Sequence, residues 1–253
     1  MFVLKRQDSI TTITLSHPPV NAMSVEWVAD FNDIISEIEN EPECRVVLIR
    51  SDQKVFCAGA DLKEFHEKFN RPDRSEVFIA DTRDYQKLFA RLEKLPKIVI
   101  AEINGAALGG GFELALSCDL RMAADEAKLG LPEGRLGLVP GAGGTQRLTQ
   151  ICGPSVASRI ILTCEIVSGQ TALELGMVQY SVPRAELQQE AQALAERIRD
   201  LSAGALAESK ACIAVAQNPT LDGFDAEVAA TERLIETDDT RQRVADFLEQ
   251  NLK

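Results

Sequence analysis

The chain is poor in histidine, in basic residues and in long apolar runs, and each shortage removes a class of protein. Of 253 residues, only His17 and His66 are histidines. His17 falls in a turn and His66 in a charged helical stretch, so neither a Ser-His-Asp triad nor a histidine-built metal centre is expected. Lys and Arg number 27 against 39 Asp and Glu, for a net charge of −12. Such a surface repels nucleic acid and anionic lipid, so neither is an expected partner. No run of about 18 apolar residues occurs, which argues against a membrane-spanning helix. The opening MFVLKRQDS turns polar too soon for a secretory signal. GxGxxG and GxxxxGK[ST] are both missing, so the usual glycine-loop nucleotide sites are unsupported. There is no internal repeat and no low-complexity tract. The six cysteines never form a CxxC pair. Reduced, mostly buried thiols in a cytoplasmic protein are the expectation.

What is present is an alternation of strand and helix signals. FVLKR and ITTITL read as a hairpin. A helix follows from Ser24, a good N-cap, to Glu39, with Val25, Val28, Ala29, Ile35 and Ile38 near the helical period. RVVLIR, KVFCAGA, KIVIAEI, DLRMAA and VQYSV read as strands. Residues 62–94 read as charged helix broken near Asn70–Pro72. The stretch from 186 onward reads as helical, its last helix carrying Val244, Phe247, Leu248 and Leu252 on one face. The alternation predicts a layered α/β core with right-handed crossovers.

Two glycine turns stand out, Ala58-Gly59-Ala60-Asp61 and Gly109-Gly110-Gly111. Each follows a predicted buried strand, and in α/β folds that edge of the sheet is where ligands bind. The second turn opens a helix, so unpaired N–H groups point out of it. Two readings fit: a tight turn with close helix–sheet packing, or two N–H donors for a substrate carbonyl. Glu113 lies about one helical turn past Gly110. Glu133 follows Pro132 and precedes a loop with five glycines, a place where function is common. Two carboxylates in one apolar pocket can divide acid and base roles, although either alone reads equally as a surface or helix-start acid. Trp27 reads as packing, and the acidic run from Glu232 to Asp239 as a solvated face.

VFCAGADLKEF, INGAALGGGFELALSCDLRMAA and LGLPEGRLGLVPGAGGTQRL, with the turn PPVNAMS, together resemble the enoyl-CoA hydratase/isomerase (crotonase) family over nearly the whole chain. The resemblance implies a spiral of ββα units over residues 1–197. It assigns residues 198–253 to a C-terminal helical region for trimerisation, which also closes the acyl pocket. It implies an acyl-CoA thioester as substrate and a homo-trimer, or a hexamer of two trimers. No metal or redox cofactor is implied, because coenzyme A arrives as part of the substrate. Ala60 and Gly110 would supply the oxyanion-hole N–H groups, and Glu113 and Glu133 the catalytic carboxylates. Val20, Ala22, Ala58, Asp61, Leu62, Lys63 and Phe247 fall on substrate-contacting positions. Both glutamates are retained, which favours hydration of a trans-2-enoyl thioester over isomerisation and over a non-catalytic relative; the net charge of −12 argues against an RNA-binding one, and hydration of a branched or carboxylated enoyl-CoA stays the alternative. Two departures stand out. Pro-Pro-Val occupies a turn that often carries Lys or Arg, leaving Lys63 as the local basic candidate. The family's C-terminal F-x-E-K-R appears as Phe247-Leu248-Glu249-Gln250-Asn251, without its basic pair.

Overall fold

The computed structural model describes residues 1–218 and 220–251. Strands β1 (Phe2–Gln7) and β2 (Ile10–Leu15) form the expected antiparallel hairpin. Its two-residue turn, Asp8-Ser9, takes positive φ at both positions, as a tight hairpin of this hand requires. Helix α1 (Val25–Glu39) starts on Ser24, whose side chain accepts the Trp27 N–H. Trp27, Val28, Phe31, Ile34, Ile35 and Ile38 are its buried face, whereas Val25 and Ala29 are exposed. Phe2 stacks on Phe31, Trp27 packs tilted against both, and the three rings tie α1 to β1.

Strands β3 (Val46–Ser51), β4 (Ile98–Ile103), β6 (Leu120–Ala124) and β9 (Tyr180–Val182) join the hairpin in a six-stranded sheet ordered β1-β2-β3-β4-β6-β9. Every pairing beyond the hairpin is parallel. The inner strands are buried along nearly their whole length, as parallel strands covered on both faces must be. A smaller sheet pairs β5 (Ala107–Leu108), β7 (Lys128–Gly130) and β8 (Val167–Ser168).

The segment KVFCAGA is not a strand. Phe56 and Cys57 both donate to Ala106 O, and only isolated bridges at Cys57 and Ala60 remain. The charged region resolves into α2 (Leu62–Lys68) and α3 (Arg74–Lys94), broken where the sequence indicated. The short helix α4 (Gly110–Leu116) follows β5. The proline-glycine stretch is not all loop: Pro132–Leu136 winds into a 3-10 turn before α5 (Gly144–Leu162). Helices α6 (Gly169–Glu174) and α7 (Arg184–Arg199) come next, and α7 covers β2, β3, β4 and β6. The tail forms α8 (Ala203–Val215), α9 (Gly223–Ile235) and α10 (Asp238–Asn251). Lys210 of α8 reaches the base of the sheet, donating to Asp119 at 2.8 Å and to Lys97 O at 3.0 Å. Leu252, expected on the apolar face of the last helix, lies outside the described residues.

Candidate active site

The two glycine turns meet. A Cβ placed on Gly59 would lie 2.9 Å from Leu108 O and 3.1 Å from Gly110 N, and one on Gly111 would collide with the Cys57 carbonyl. Gly59 (φ +95°) and Gly109 (φ +54°) also occupy the left-handed region, which a side chain disfavours. Close backbone approach therefore accounts for the bare sequence.

The same approach leaves two donors uncommitted. Gly59 O accepts the Met23 N–H at 2.9 Å, the Asp61 N–H goes to Met23 O at 3.0 Å, and the Gly109 N–H goes to Gly130 O at 3.0 Å. Between these anchors, the N–H groups of Ala60 and Gly110 have no protein acceptor among the described residues. Gly110 is the first residue of α4, so its N–H also carries the positive end of the helix.

Glu113 and Glu133 flank this backbone. Glu113 is 3% exposed, and its Oε1 accepts the Gly144 N–H at 2.7 Å. Burial pushes its pKa up to about 7, the Gly144 N–H pulls the other way, and the nearby Glu133 charge raises it further. Glu133 sits in the 3-10 turn with its carboxylate against Gly109, its Oε1 3.1 Å from where a Cβ there would stand. Its Oε2 is buried without a hydrogen-bond partner, and burial raises its pKa. Glu133 thus lies beside Gly109, next to the Gly110 donor, and its charge reaches Glu113, an arrangement suited to acid–base chemistry at an activated carbonyl.

Several supporting residues escaped the sequence reading. Asn21 is fully buried with a left-handed backbone, and its side chain binds the His17 N–H, Ser51 and Phe56 O. The Tyr85 hydroxyl donates to Met23 O at 2.7 Å, pinning the bridge that presents Ala60. An asparagine amid turn formers hints at the first role. No local pattern reveals the second, because Met23 and Tyr85 are 62 positions apart.

The other expected contact residues are distributed around the first turn. Val20 O accepts the Ala58 N–H at 3.0 Å, and Ala22 is half-buried beside it in sequence. Ala58 is exposed, Asp61 caps α2 through the N–H groups of Lys63 and Glu64, and Leu62 and Lys63 are exposed on its first turn. Phe247 stands apart from this group, 65% exposed on α10, whose main neighbour is α9.

A mixed α/β fold with paired glycine turns, a buried glutamate and a half-buried one beside them is the architecture of a known enzyme class. The chain belongs to the enoyl-CoA hydratase/isomerase family, whose model matches residues 5–252. It is 34% identical over 252 residues to the short-chain-enoyl-CoA hydratase of Clostridium acetobutylicum, covering 98% of this chain and 94% of that one. It is 33% identical, with the same coverage, to the crotonyl-CoA hydratase of Syntrophomonas wolfei. The crystal structure of an enoyl-CoA hydratase from Bacillus anthracis superposes with a TM-score of 0.91 at 34% identity, covering 98% of this chain and 96% of that one. The expected mixed α/β fold of this family holds, and no helix among the described residues is long and apolar enough to cross a membrane.

Proposed function

We propose that this protein hydrates trans-2-enoyl-CoA thioesters to 3-hydroxyacyl-CoA. The observation that carries the reading is the buried, unpartnered Oε2 of Glu133, held against Gly109 one residue from the free Gly110 N–H. The thioester oxygen is placed between the N–H groups of Ala60 and Gly110. As water adds at Cβ, negative charge moves onto that oxygen and the two donors hold it. One such donor contributes roughly 2.7–4 kcal/mol. Glu113 orients the water and takes its proton, and Glu133 delivers a proton to Cα. Water's hydroxyl and proton both end on the product, so the two carboxyls recover their starting charge through one proton exchange with solvent or each other. The groups around Asp61–Lys63, Val20 and Ala22 border the thioester and its coenzyme A.

Assembly as a homo-trimer or a pair of trimers is part of the reading. It is supported by Ile213, Phe224, Val228 and Ile235, all more than half exposed on the C-terminal helices. Light scattering gives the mass. For the reaction, crotonyl-CoA is incubated with the protein and the product weighed by mass spectrometry. A gain of one water supports hydration. Conversion of a 3-enoyl thioester without that gain points instead to isomerisation, which needs only one carboxylate to move the proton.

A further inference from the structure

Arg147, in the first turn of α5, spends its whole guanidinium on two neighbours. Its Nε and Nη2 bind the carboxylate of Glu93, on α3, at 3.2 and 3.0 Å. Its Nη1 donates to Ala142 O at 3.0 Å. The guanidinium is so close beneath Gly143 (φ +111°) that a Cβ there would collide with Nη1. The side chain of Arg147 is 11% exposed and that of Glu93 is 44% exposed, beside an open cleft lined by Gln86, Gln146 and Gln150. The next amide after Gly143 is the Gly144 N–H that grips Glu113. The two peptides are consecutive, so fixing the Ala142 carbonyl fixes the direction of that donor.

We propose that Arg147, clamped by Glu93, is a positioning residue for Glu113: it locks the Ala142–Gly144 turn against the carboxylate and supplies a compensating positive charge. This rests on the hydratase reading in that Glu113 is taken to act in the reaction. A bidentate pair with a third bond to a carbonyl holds orientation far better than a point charge would. It links α3 and α5 across 54 residues.

The charges facing Glu113 make the proposal signed. Arg147, from α5, favours its ionised form, and Glu133, from the 3-10 turn, opposes it. Glu93 stands behind Arg147 and partly cancels its field. The rest of α4, and β5 beside it, carry no other titratable group. Arg147→Gln therefore makes Glu113 hold its proton to higher pH, and Glu93→Gln, which keeps an acceptor for the guanidinium, does the reverse.

The test is a carbon-13 titration of the Glu113 carboxyl in glutamate-labelled protein, its signal assigned with Glu113→Gln. It is run on the native chain, Arg147→Gln, Arg147→Lys and Glu93→Gln, with pH profiles of kcat/KM on crotonyl-CoA alongside. The midpoint is expected to rise by about 1 pH unit in Arg147→Gln, to fall in Glu93→Gln, and to stay nearer the native value in Arg147→Lys. Arg147→Gln is expected to lose on the order of 10- to 100-fold in kcat/KM with KM little changed, as misorientation at a reacting centre does. Should Arg147→Gln not fold, the Lys and Glu93→Gln variants decide the sign by themselves. Midpoints that move together, or not at all, overturn the proposal. A native protein that leaves crotonyl-CoA untouched overturns the hydratase reading instead, and the titration still reads the clamp.

Discussion

The Gly144 N–H donates to Glu113 Oε1 across 2.7 Å, although the residues lie 31 positions apart. Each stands in the first turn of its own helix, Gly144 opening α5 and Glu113 near the start of α4. The carboxylate thus lies at the positive end of a second helix, and that field offsets part of its burial. Gly144 allows the approach, because a Cβ there would lie 2.9 Å from the same carboxylate oxygen.

The balance leaves Glu113 titrating at about 7, above its ordinary range, so it is protonated below that pH in the folded protein. A group that must take a proton from water works only when ionised. Hydration measured as kcat/KM is expected to rise as pH increases from 5 toward 7, and to fall again at higher pH as Glu133, which must deliver a proton, ionises. A profile already flat from pH 5 would show that Glu113 ionises normally, or that it is not the base.

Glu102, on β4, is 5% exposed, and its Oε2 has no hydrogen-bond partner. Burial pushes its pKa up to about 7, with Arg50 opposing weakly. The folded value lies above the unfolded one, so the folded chain binds the proton more tightly. Stability is then greatest below about pH 4.5 as far as this group is concerned, and falls as pH rises toward 7. Glu102→Gln is expected to stabilise the protein at pH 8, by about 3 kcal/mol at most, and to do little at pH 4. Urea midpoints at the two pH values measure the difference; an equal effect at both would mean that the carboxyl is not held protonated.

Gly111 has the Cys57 carbonyl where a side chain would begin. Gly111→Ala must push the two glycine turns apart, and overpacking of this kind costs roughly 1–3 kcal/mol or more. Both the urea midpoint and kcat are expected to fall. Unchanged activity in a destabilised protein would mean that the turns tolerate separation.

Tyr85→Phe removes one of two donors to Met23 O, the other being the Asp61 N–H. The loss in stability is expected near 1 kcal/mol. The informative readout is kcat, expected to drop several-fold as the Ala60 N–H loses its anchor. A change confined to thermal stability would limit Tyr85 to packing.

Much of this could be read in the sequence because the signals were local. Ser24 announced the start of α1, Asn70–Pro72 the break before α3, and the glycines after β4 the site itself. KVFCAGA misled because its β-rich composition is real, but its backbone groups are taken by Ala106 O and the Asn21 side chain rather than by a strand. Strands β7 and β8 are three and two residues long, too short to show a period. The Glu93–Arg147 clamp was invisible for a different reason: its partners meet only once α3 and α5 are folded, so neither residue differs locally from an ordinary surface charge.

The central claim is that Glu133 acts on the α,β double bond of an enoyl thioester. Loss of the ultraviolet absorbance of crotonyl-CoA, followed in the native protein and in Glu133→Gln, tests it most directly. The account predicts fast loss in the native protein and a rate reduced by roughly 100-fold or more in the variant, with its fold intact by circular dichroism. Equal rates in the two proteins would remove Glu133 from the chemistry and contradict the account.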